Sequence, residues 1–282
     1  MNKDASDPSH LRPATADDDP ACRAGLDVRG VTITYNNGHT ALRDAGFCTP
    51  LGSITALVGV NGSGKSTLFK AIMGFLKPAA GTIQVLGQSV SSAIGRNLVA
   101  YVPQNEEVDW DFPVLVKDVV MMGRYGHMGF FRRPRPADRE AVDQALQRVQ
   151  MLELRHRQIG ELSGGQKKRV FLARALAQQA QVILLDEPFS QVDNFRKNDL
   201  QRTLFAYLKK QNISCIVATH DGKDALSYSD KALIMKDGQL IAFGDTATIY
   251  HQDSDFYTAS LFGEVTSHNQ KLLKPHQISV VA

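Results

Sequence analysis

Long apolar runs are missing from this 282-residue chain. No stretch of about eighteen consecutive apolar residues occurs, which excludes a membrane-spanning helix from the reading. The N-terminus lacks the apolar core of a secretory signal, so the expectation is a cytoplasmic protein. Cysteine is scarce as well: Cys22, Cys48 and Cys215 are odd in number, far apart and without a CxxC pair. That argues against a disulfide frame and a structural zinc site, and it favours a reducing compartment. A strong charge of one sign is also lacking. The formal balance of +3 is too small to argue for nucleic acid. Apart from His220, the histidines (His10, His39, His127, His156, His251, His268 and His276) are scattered without ligand spacing, and none is assigned to a metal.

What is present is an ordinary globular composition, 43% hydrophobic and 22% charged, which supports a good core. The length allows one large domain or two small ones. Residues 1–25 are rich in Asp, Ser, Pro, Ala and Thr, with too few apolar groups to offset chain entropy, and read as a disordered tail. Five Asp against Lys3, Arg12 and Arg23 give residues 1–23 a charge of −2, leaving +5 on the remainder. That excess is compatible with work near an anionic membrane surface.

Leu26, Val28, Val31, Ile33 and Tyr35 alternate as a strand or hairpin arm that ends at the turn signal Asn36-Asn37-Gly38. Ile54 to Val58 is a short apolar strand. Leu68, Ile72 and Phe75 then repeat at helical spacing. Val114 to Met122 and Asp138 to Leu154 read as helices, with a Gly, Arg and Pro-rich loop at 123–136. Val182 to Leu185, and Ser214 through His220, are further apolar strands. No internal repeat or heptad run is present. Buried strands alternating with helices predict a mainly parallel sheet with ligands at the strands' carboxyl ends.

Gly59-Val60-Asn61-Gly62-Ser63-Gly64-Lys65-Ser66-Thr67 matches the phosphate-loop pattern G-x-x-x-x-G-K-[ST]. The glycines let backbone N–H groups face phosphate oxygens, Lys65 reaches the β- and γ-phosphates, and Ser66 offers a hydroxyl to Mg²⁺. Chance produces such a match in roughly 1% of chains this long, and the strand–loop–helix context lowers that further. Asp186 and Glu187 end an apolar strand, a common place for surface carboxylates. Downstream of a phosphate loop, the first is placed to hold the Mg²⁺ shell and the second to deprotonate the attacking water. Leu162-Ser163-Gly164-Gly165-Gln166 opens a helix about a hundred residues after the loop. Its hydroxyl, backbone N–H groups and helix N-terminus make a second anion-binding device, which suggests two copies sharing nucleotides. Gln104 follows the apolar run Leu98 to Val102 and can reach the metal or the water, although a lone Gln is usually solvated. His220 can meet the γ-phosphate or simply cap a strand. Tyr35 can stack on a nucleobase or serve the hairpin.

Together these residues resemble the ATP-binding subunit of an ABC transporter over about 26–250. The Walker A loop at 59–67, glutamine loop at Gln104, signature at 162–166, Walker B at 182–187, D-loop Asp193 and switch His220 stand in the family's order. The resemblance implies an α/β P-loop NTPase fold of the ABC ATPase type. It has a mainly parallel core sheet, an antiparallel β flank near 26–50 and an inserted helical subdomain near 105–162, followed by a C-terminal tail at 251–282. It implies ATP and Mg²⁺ as cofactors, with Glu187, His220 and Gln104 catalytic and Ser66, Gln104 and Asp186 at the metal. The nucleotide would be held by Tyr35, Gly59, Asn61, Gly62, Ser63, Gly64, Lys65, Ser66 and Thr67. Ser163, Gly164, Gly165, Gln166 and Asp193 would face the nucleotide of a second subunit in a homodimer.

A finer resemblance runs through Gln104-Asn105-Glu106-Glu107-Val108-Asp109-Trp110-Asp111-Phe112-Pro113 and on through Val119 to His127. It is similar to the ATPases of manganese, iron and zinc importers. It implies integral membrane permease subunits, an extracytoplasmic solute-binding protein, no nucleic acid partner, and a peripheral place on the cytoplasmic face of the cell membrane. Trp110, Phe112, Met121 and Met122 would offer a docking surface to a permease coupling helix, or would simply form the core of the helical subdomain, a reading that suits Met121 and Met122 better than Trp110. Importers of other small solutes and non-transport ABC ATPases are the alternatives; those acting on ribosomes usually carry two such domains in one chain. Up to Ser190 the chain has 15 Arg and 7 Lys; beyond it 2 Arg and 8 Lys. After about 190 it resembles metal importers less, and Ser190-Gln191-Val192-Asp193 departs from the commoner small-residue form.

Overall fold

The computed structural model describes residues 24–105, 113–251, 256–263, 266–268 and 271–273. The disordered-tail expectation for the N-terminus, Cys22, Trp110 and Phe112 therefore lie outside the described residues, apart from Ala24 and Gly25.

Strands β1 (Ala24–Thr34) and β2 (Thr40–Pro50) form an antiparallel hairpin. Leu26, Val28, Val31 and Ile33 are buried along β1, as their alternation predicts. The antiparallel layer is larger than expected from 26–50. It also takes β4 (Ala80–Val85) and β5 (Gln88–Ser89), in the order β2-β1-β4-β5. A short helix, α2 (Val90–Gly95), follows, with the Ser89 side chain accepting from Ser92 N–H at its start.

The core sheet contains β3 (Ile54–Val58), β6 (Val99–Val102), β7 (Val182–Asp186), β8 (Ser214–Thr219), β9 (Lys231–Lys236) and β10 (Gln239–Asp245). Its order is β10-β9-β3-β8-β7-β6, parallel from β9 to β6, with β10 antiparallel at the edge. Every residue of β3, β7 and β8 is buried, as a parallel sheet covered on both faces requires. The pairing Val58↔Thr219 and Asp186↔Ala218 aligns the carboxyl ends of these three strands. Gly59, Glu187 and His220 follow those ends, with His220 just past its strand rather than its last residue. Around the sheet lie α1 (Lys65–Ile72), α6 (Asn194–Lys210), α7 (Gly222–Tyr228), α8 (Thr246–His251) and α9 (Phe256–Leu261).

The helical layer consists of α3 (Val116–Met122), α4 (Pro136–Arg148) and α5 (Gly164–Ala177), which share one core through Val120, Leu146 and Phe171. It thus runs past the expected end at 162, because α5 is its third helix and leads the chain back to β7. The helix predicted over 138–154 stops at Arg148. Gln150 turns left-handed (φ 56°) and Met151 N–H donates to Leu146 carbonyl. Leu152–Leu154 then forms a separate 3₁₀ turn. The loop at 123–136 contains a 3₁₀ turn at Tyr125–His127 and one buried anchor, Arg124. Its guanidinium pairs with Asp138 at 3.0 Å and donates to the Ala177 carbonyl and the Gln179 side chain.

The packed structure also continues past residue 250. Phe262, after α9, is 3% exposed within an apolar cluster that includes Val58 and Ile234. A short hairpin of β11 (Thr266–His268) and β12 (Lys271–Leu273) lies beyond. Among the described residues, no helix is long and apolar enough to cross a membrane.

Candidate functional site

The phosphate loop leaves β3 at Gly59 and enters α1 at Lys65. Gly62 (φ 82°) and Gly64 (φ 106°) adopt backbone angles open to glycine, and a Cβ on Gly59 would lie 2.5 Å from the Met235 carbonyl oxygen. Among the described residues no side-chain hydrogen bond caps α1, which leaves its first N–H groups available to an anion. Lys65 Nζ donates to the Gly59 carbonyl at 2.7 Å and the Val60 carbonyl at 3.0 Å. Burial holds the Lys65 ammonium below its usual pKa, against the opposing pull of Glu187 and Asp186. The Ser63 hydroxyl is buried with no partner among the described residues.

Beside the loop, Ser66 Oγ donates to Asp186 Oδ2 at 2.7 Å. Asp186 Oδ1 is buried with no partner among the described residues. Burial raises the Asp186 carboxyl above its ordinary value, partly offset by the Ser66 hydrogen bond. A buried carboxylate oxygen in want of a cation, next to a hydroxyl, is a hard-oxygen donor set that fits Mg²⁺. Gln104 lines the same cleft, and its carbonyl accepts a hydrogen bond from Lys168 of α5.

Glu187 takes a left-handed turn (φ 50°) as it leaves β7. Its N–H donates to the Ala218 carbonyl and its own carbonyl accepts from Ser190, so the turn is fixed on both sides. This conformation is uncommon for a residue with a Cβ and is held by its surroundings. The buried carboxylate then meets His220 Nδ1 at 2.9 Å, while the imidazole remains 60% exposed.

A cleft of about 580 Å³ collects much of the predicted set. The phosphate loop contributes Asn61, Gly62, Gly64, Lys65, Ser66 and Thr67, joined by Tyr35, Gln104, Asp186 and Glu187. Tyr35 stands at its mouth, its hydroxyl 3.1 Å from Thr67 Oγ1 and its ring parallel to His39. Sequence reasoning missed Ala41, Arg43, Asp237 and Gly238 as further lining. Asp237-Gly238 is a hairpin-turn dipeptide, but only the fold sets it against β2, where Arg43 N–H donates to the Gly238 carbonyl.

The Ser-Gly-Gly turn is not part of this cleft. Ser163 and Gln166 cap α5 reciprocally: Ser163 N–H donates to Gln166 Oε1 at 2.9 Å and Gln166 N–H to Ser163 Oγ at 3.3 Å. Gly164 and Gly165 pack against Gln191, and Asp193 caps α6 through Arg196 N–H. A single chain therefore presents one loop-lined cleft and, separately, one exposed Ser-Gly-Gly edge. Next to the cleft, an open groove of about 890 Å³ runs between α3 and the β6 end of the core. Phe75 and Met122 line it and are exposed, whereas Met121 packs into the helical core.

A family model described as ABC transporter matches residues 42–190. The chain is 50% identical to the chelated iron transport system membrane protein YfeB of Yersinia pestis, over 87% of this chain and 81% of that protein. It is 49% identical to the manganese transport system ATP-binding protein MntA of Synechocystis, over 82% of this chain and 88% of that one. Among solved structures, a metal-chelate type ABC transporter in an inward-facing conformation aligns with a TM-score of 0.73 at 27% identity, covering 89% of this chain and 95% of its own. The family match ends at Ser190, where the Arg/Lys balance changes. The similarity to the Yersinia protein spans 246 residues and necessarily crosses that point.

Proposed function

The chain belongs to the ABC transporter family as an ATP-hydrolysing subunit, and from that premise we propose that it energises import of a transition metal (manganese, iron or zinc). The observation that carries the mechanism is the half-built site. The cleft holds a phosphate loop, an Mg²⁺ donor pair and a buried carboxylate, while the signature turn lies elsewhere on the same chain. Two copies arranged head to tail supply the missing half to each other. Ser163, Gly165 and Asp193 of one copy then face the nucleotide held by Gly59–Thr67 of the other.

Within each site, Tyr35 stacks on the base and the N–H groups of 59–67 hold the phosphates. Lys65 exchanges its two backbone carbonyls for phosphate oxygens. Ser66, Asp186 and Gln104 would hold the Mg²⁺, which when bound would neutralise charge on the β- and γ-phosphates. Glu187 takes the proton of the attacking water. His220, bonded to that carboxylate through Nδ1, orients it and presents its other ring nitrogen toward the γ-phosphate. ATP closes the pair and hydrolysis reopens it. The groove beside α3, with exposed Phe75 and Met122, receives a coupling helix from a membrane permease, and an extracytoplasmic binding protein delivers the metal to that permease. The chain works peripherally at the cytoplasmic face of the membrane.

The metal assignment rests on the likeness to iron and manganese transport proteins. Its test is radiolabelled metal uptake by cells deleted for this gene and its restoration by the wild-type chain. Manganese, iron or zinc uptake should be lost on deletion and restored by wild type but not by Lys65→Ala. Normal uptake of all three in the deletion strain would remove the transport reading.

A further inference from the structure

Helix α9 lies outside the stretch matched by the family model, yet it reaches both the phosphate loop at Val60 and the segment after His220 at Gly222. The Tyr257 hydroxyl donates to the Met235 carbonyl at 2.8 Å and accepts from the Val60 N–H at 3.4 Å. That Met235 carbonyl is the atom that limits Gly59, since a Cβ there would come within 2.5 Å of it. Tyr257 thus ties the first turn of the phosphate loop to the end of β9. The Lys236 ammonium sits over the Tyr257 ring, 4.9 Å from its centre.

The opposite end of α9 meets the His220 side of the site. A Cβ on Gly222, two residues after His220, would lie 2.4 Å from the Leu261 carbonyl oxygen and 2.9 Å from the Phe262 ring. Ala259 and Phe262 are almost fully buried, and Phe262 shares a cluster with Val58, the last residue before the phosphate loop, and Ala225 of α7. One short helix therefore makes close contact with the start of the phosphate loop and with the start of α7.

We propose that α9 braces these two loops together, with Tyr257 as a positioning residue that holds the phosphate loop in its nucleotide-binding shape. Tyr257 does not itself line the cleft; it acts through the Val60 and Met235 backbone. Val60 N–H, freed of its partner, lets the loop sample shapes that do not bind phosphate, and apparent affinity falls with the competent fraction. Linkage requires the reverse as well: nucleotide bound to the loop must tighten α9. The proposal rests on the reading that residues 59–67 bind ATP.

The experiment compares wild type with Tyr257→Phe, which keeps the ring and removes only the hydroxyl. Phe256→Ser, on the exposed side of α9, is the control. Binding of AMP-PNP with Mg²⁺ is measured by calorimetry, and hydrogen exchange is followed in peptides covering 59–64, 182–186 and 256–262. Tyr257→Phe should bind about three- to tenfold more weakly, the range carried by one or two such hydrogen bonds. Its 59–64 peptide should exchange faster, its 182–186 peptide should be unchanged and its melting temperature should stay near wild type. In wild type, AMP-PNP should slow exchange at 256–262. Wild-type affinity in Tyr257→Phe, or a nucleotide-insensitive 256–262 in the wild-type chain, would overturn the brace while leaving ATP binding in place. Failure of wild type itself to bind AMP-PNP would instead remove the underlying ATP-site reading, and the brace with it.

Discussion

Gly164 and Gly165 are neighbours in the signature turn, but the fold predicts different consequences for adding one methyl group to each. A Cβ on Gly164 would lie 2.5 Å from Gln191 Oε1, the far end of a flexible and exposed side chain. A Cβ on Gly165 would lie 2.5 Å from the Gln191 carbonyl oxygen and 3.3 Å from its carbonyl carbon, both backbone atoms. Rotation of the Gln191 side chain relieves the first contact. The second is relieved only if the backbone of 190–192 moves by roughly 1 Å, which overpacking costs place at about 1–3 kcal/mol. In a domain of this size each kcal/mol shifts Tm by about 2–4 °C. Gly165→Ala should therefore melt measurably below wild type and Gly164→Ala close to it, by calorimetry without nucleotide. Gly165→Ala should also lose ATPase activity at least tenfold while still binding MgATP, because the phosphate loop lies in a separate cleft. Gln191→Ala should not rescue it, since the clash is with backbone. Equal melting temperatures for the two alanine variants would refute the packing argument, whatever the activities.

Two further perturbations follow from buried carboxylates. Asp186 has a raised pKa because it is buried, so the free folded chain loses stability as pH rises through that value. Asp186→Asn should raise Tm of the nucleotide-free protein at neutral pH while abolishing Mg²⁺-dependent hydrolysis; a lower Tm would show that the carboxylate is not under burial strain. Asp138 is shifted the other way, chiefly by the Arg135 N–H hydrogen bond and then by Arg124, against a burial penalty. Its stabilisation is present above the unfolded value of about 3.8 and is lost as pH falls through the lower folded value. Asp138→Asn should cost about 3–5 kcal/mol at neutral pH, as for other broken buried pairs, with the gap to wild type narrowing in acid. Urea midpoints across pH check both the size and the sign.

The parts of the site legible in the sequence are those made by local chain geometry. A strand, a glycine loop and a helix sit within twenty residues of one another at Ile54–Ile72, so periodicity and glycine placement suffice to locate the loop. The apolar runs of β7 (Val182 to Leu185) and β8 (Cys215 to Ala218) announce themselves because burial on both faces leaves no polar alternation. Contacts between distant segments were not legible. Nothing in the order of residues places Gln191 on Gly165, Asp237-Gly238 beside Arg43, or Tyr257 on Val60. Helix ends were misjudged where apolar spacing outlasts the helix. Leu152 and Leu154 continue the pattern of α4 and still pack on its core, but from a 3₁₀ turn after the left-handed Gln150. β4 was missed because only Ile83 and Val85 are buried along it, too few for an alternation to stand out.

In the proposed cycle each chain holds half of an ATP site, and ATP joins two chains. Glu187→Gln probes this, because it removes the proposed base but leaves the cleft, the proposed Mg²⁺ donors and the Ser-Gly-Gly turn intact. Sedimentation of this variant with and without MgATP measures whether ATP joins two chains. The predicted result is a monomer without nucleotide and a stable dimer with it, with about one ATP per chain and no turnover. A variant that binds MgATP yet sediments as a monomer, or that hydrolyses ATP at the wild-type rate, would contradict it.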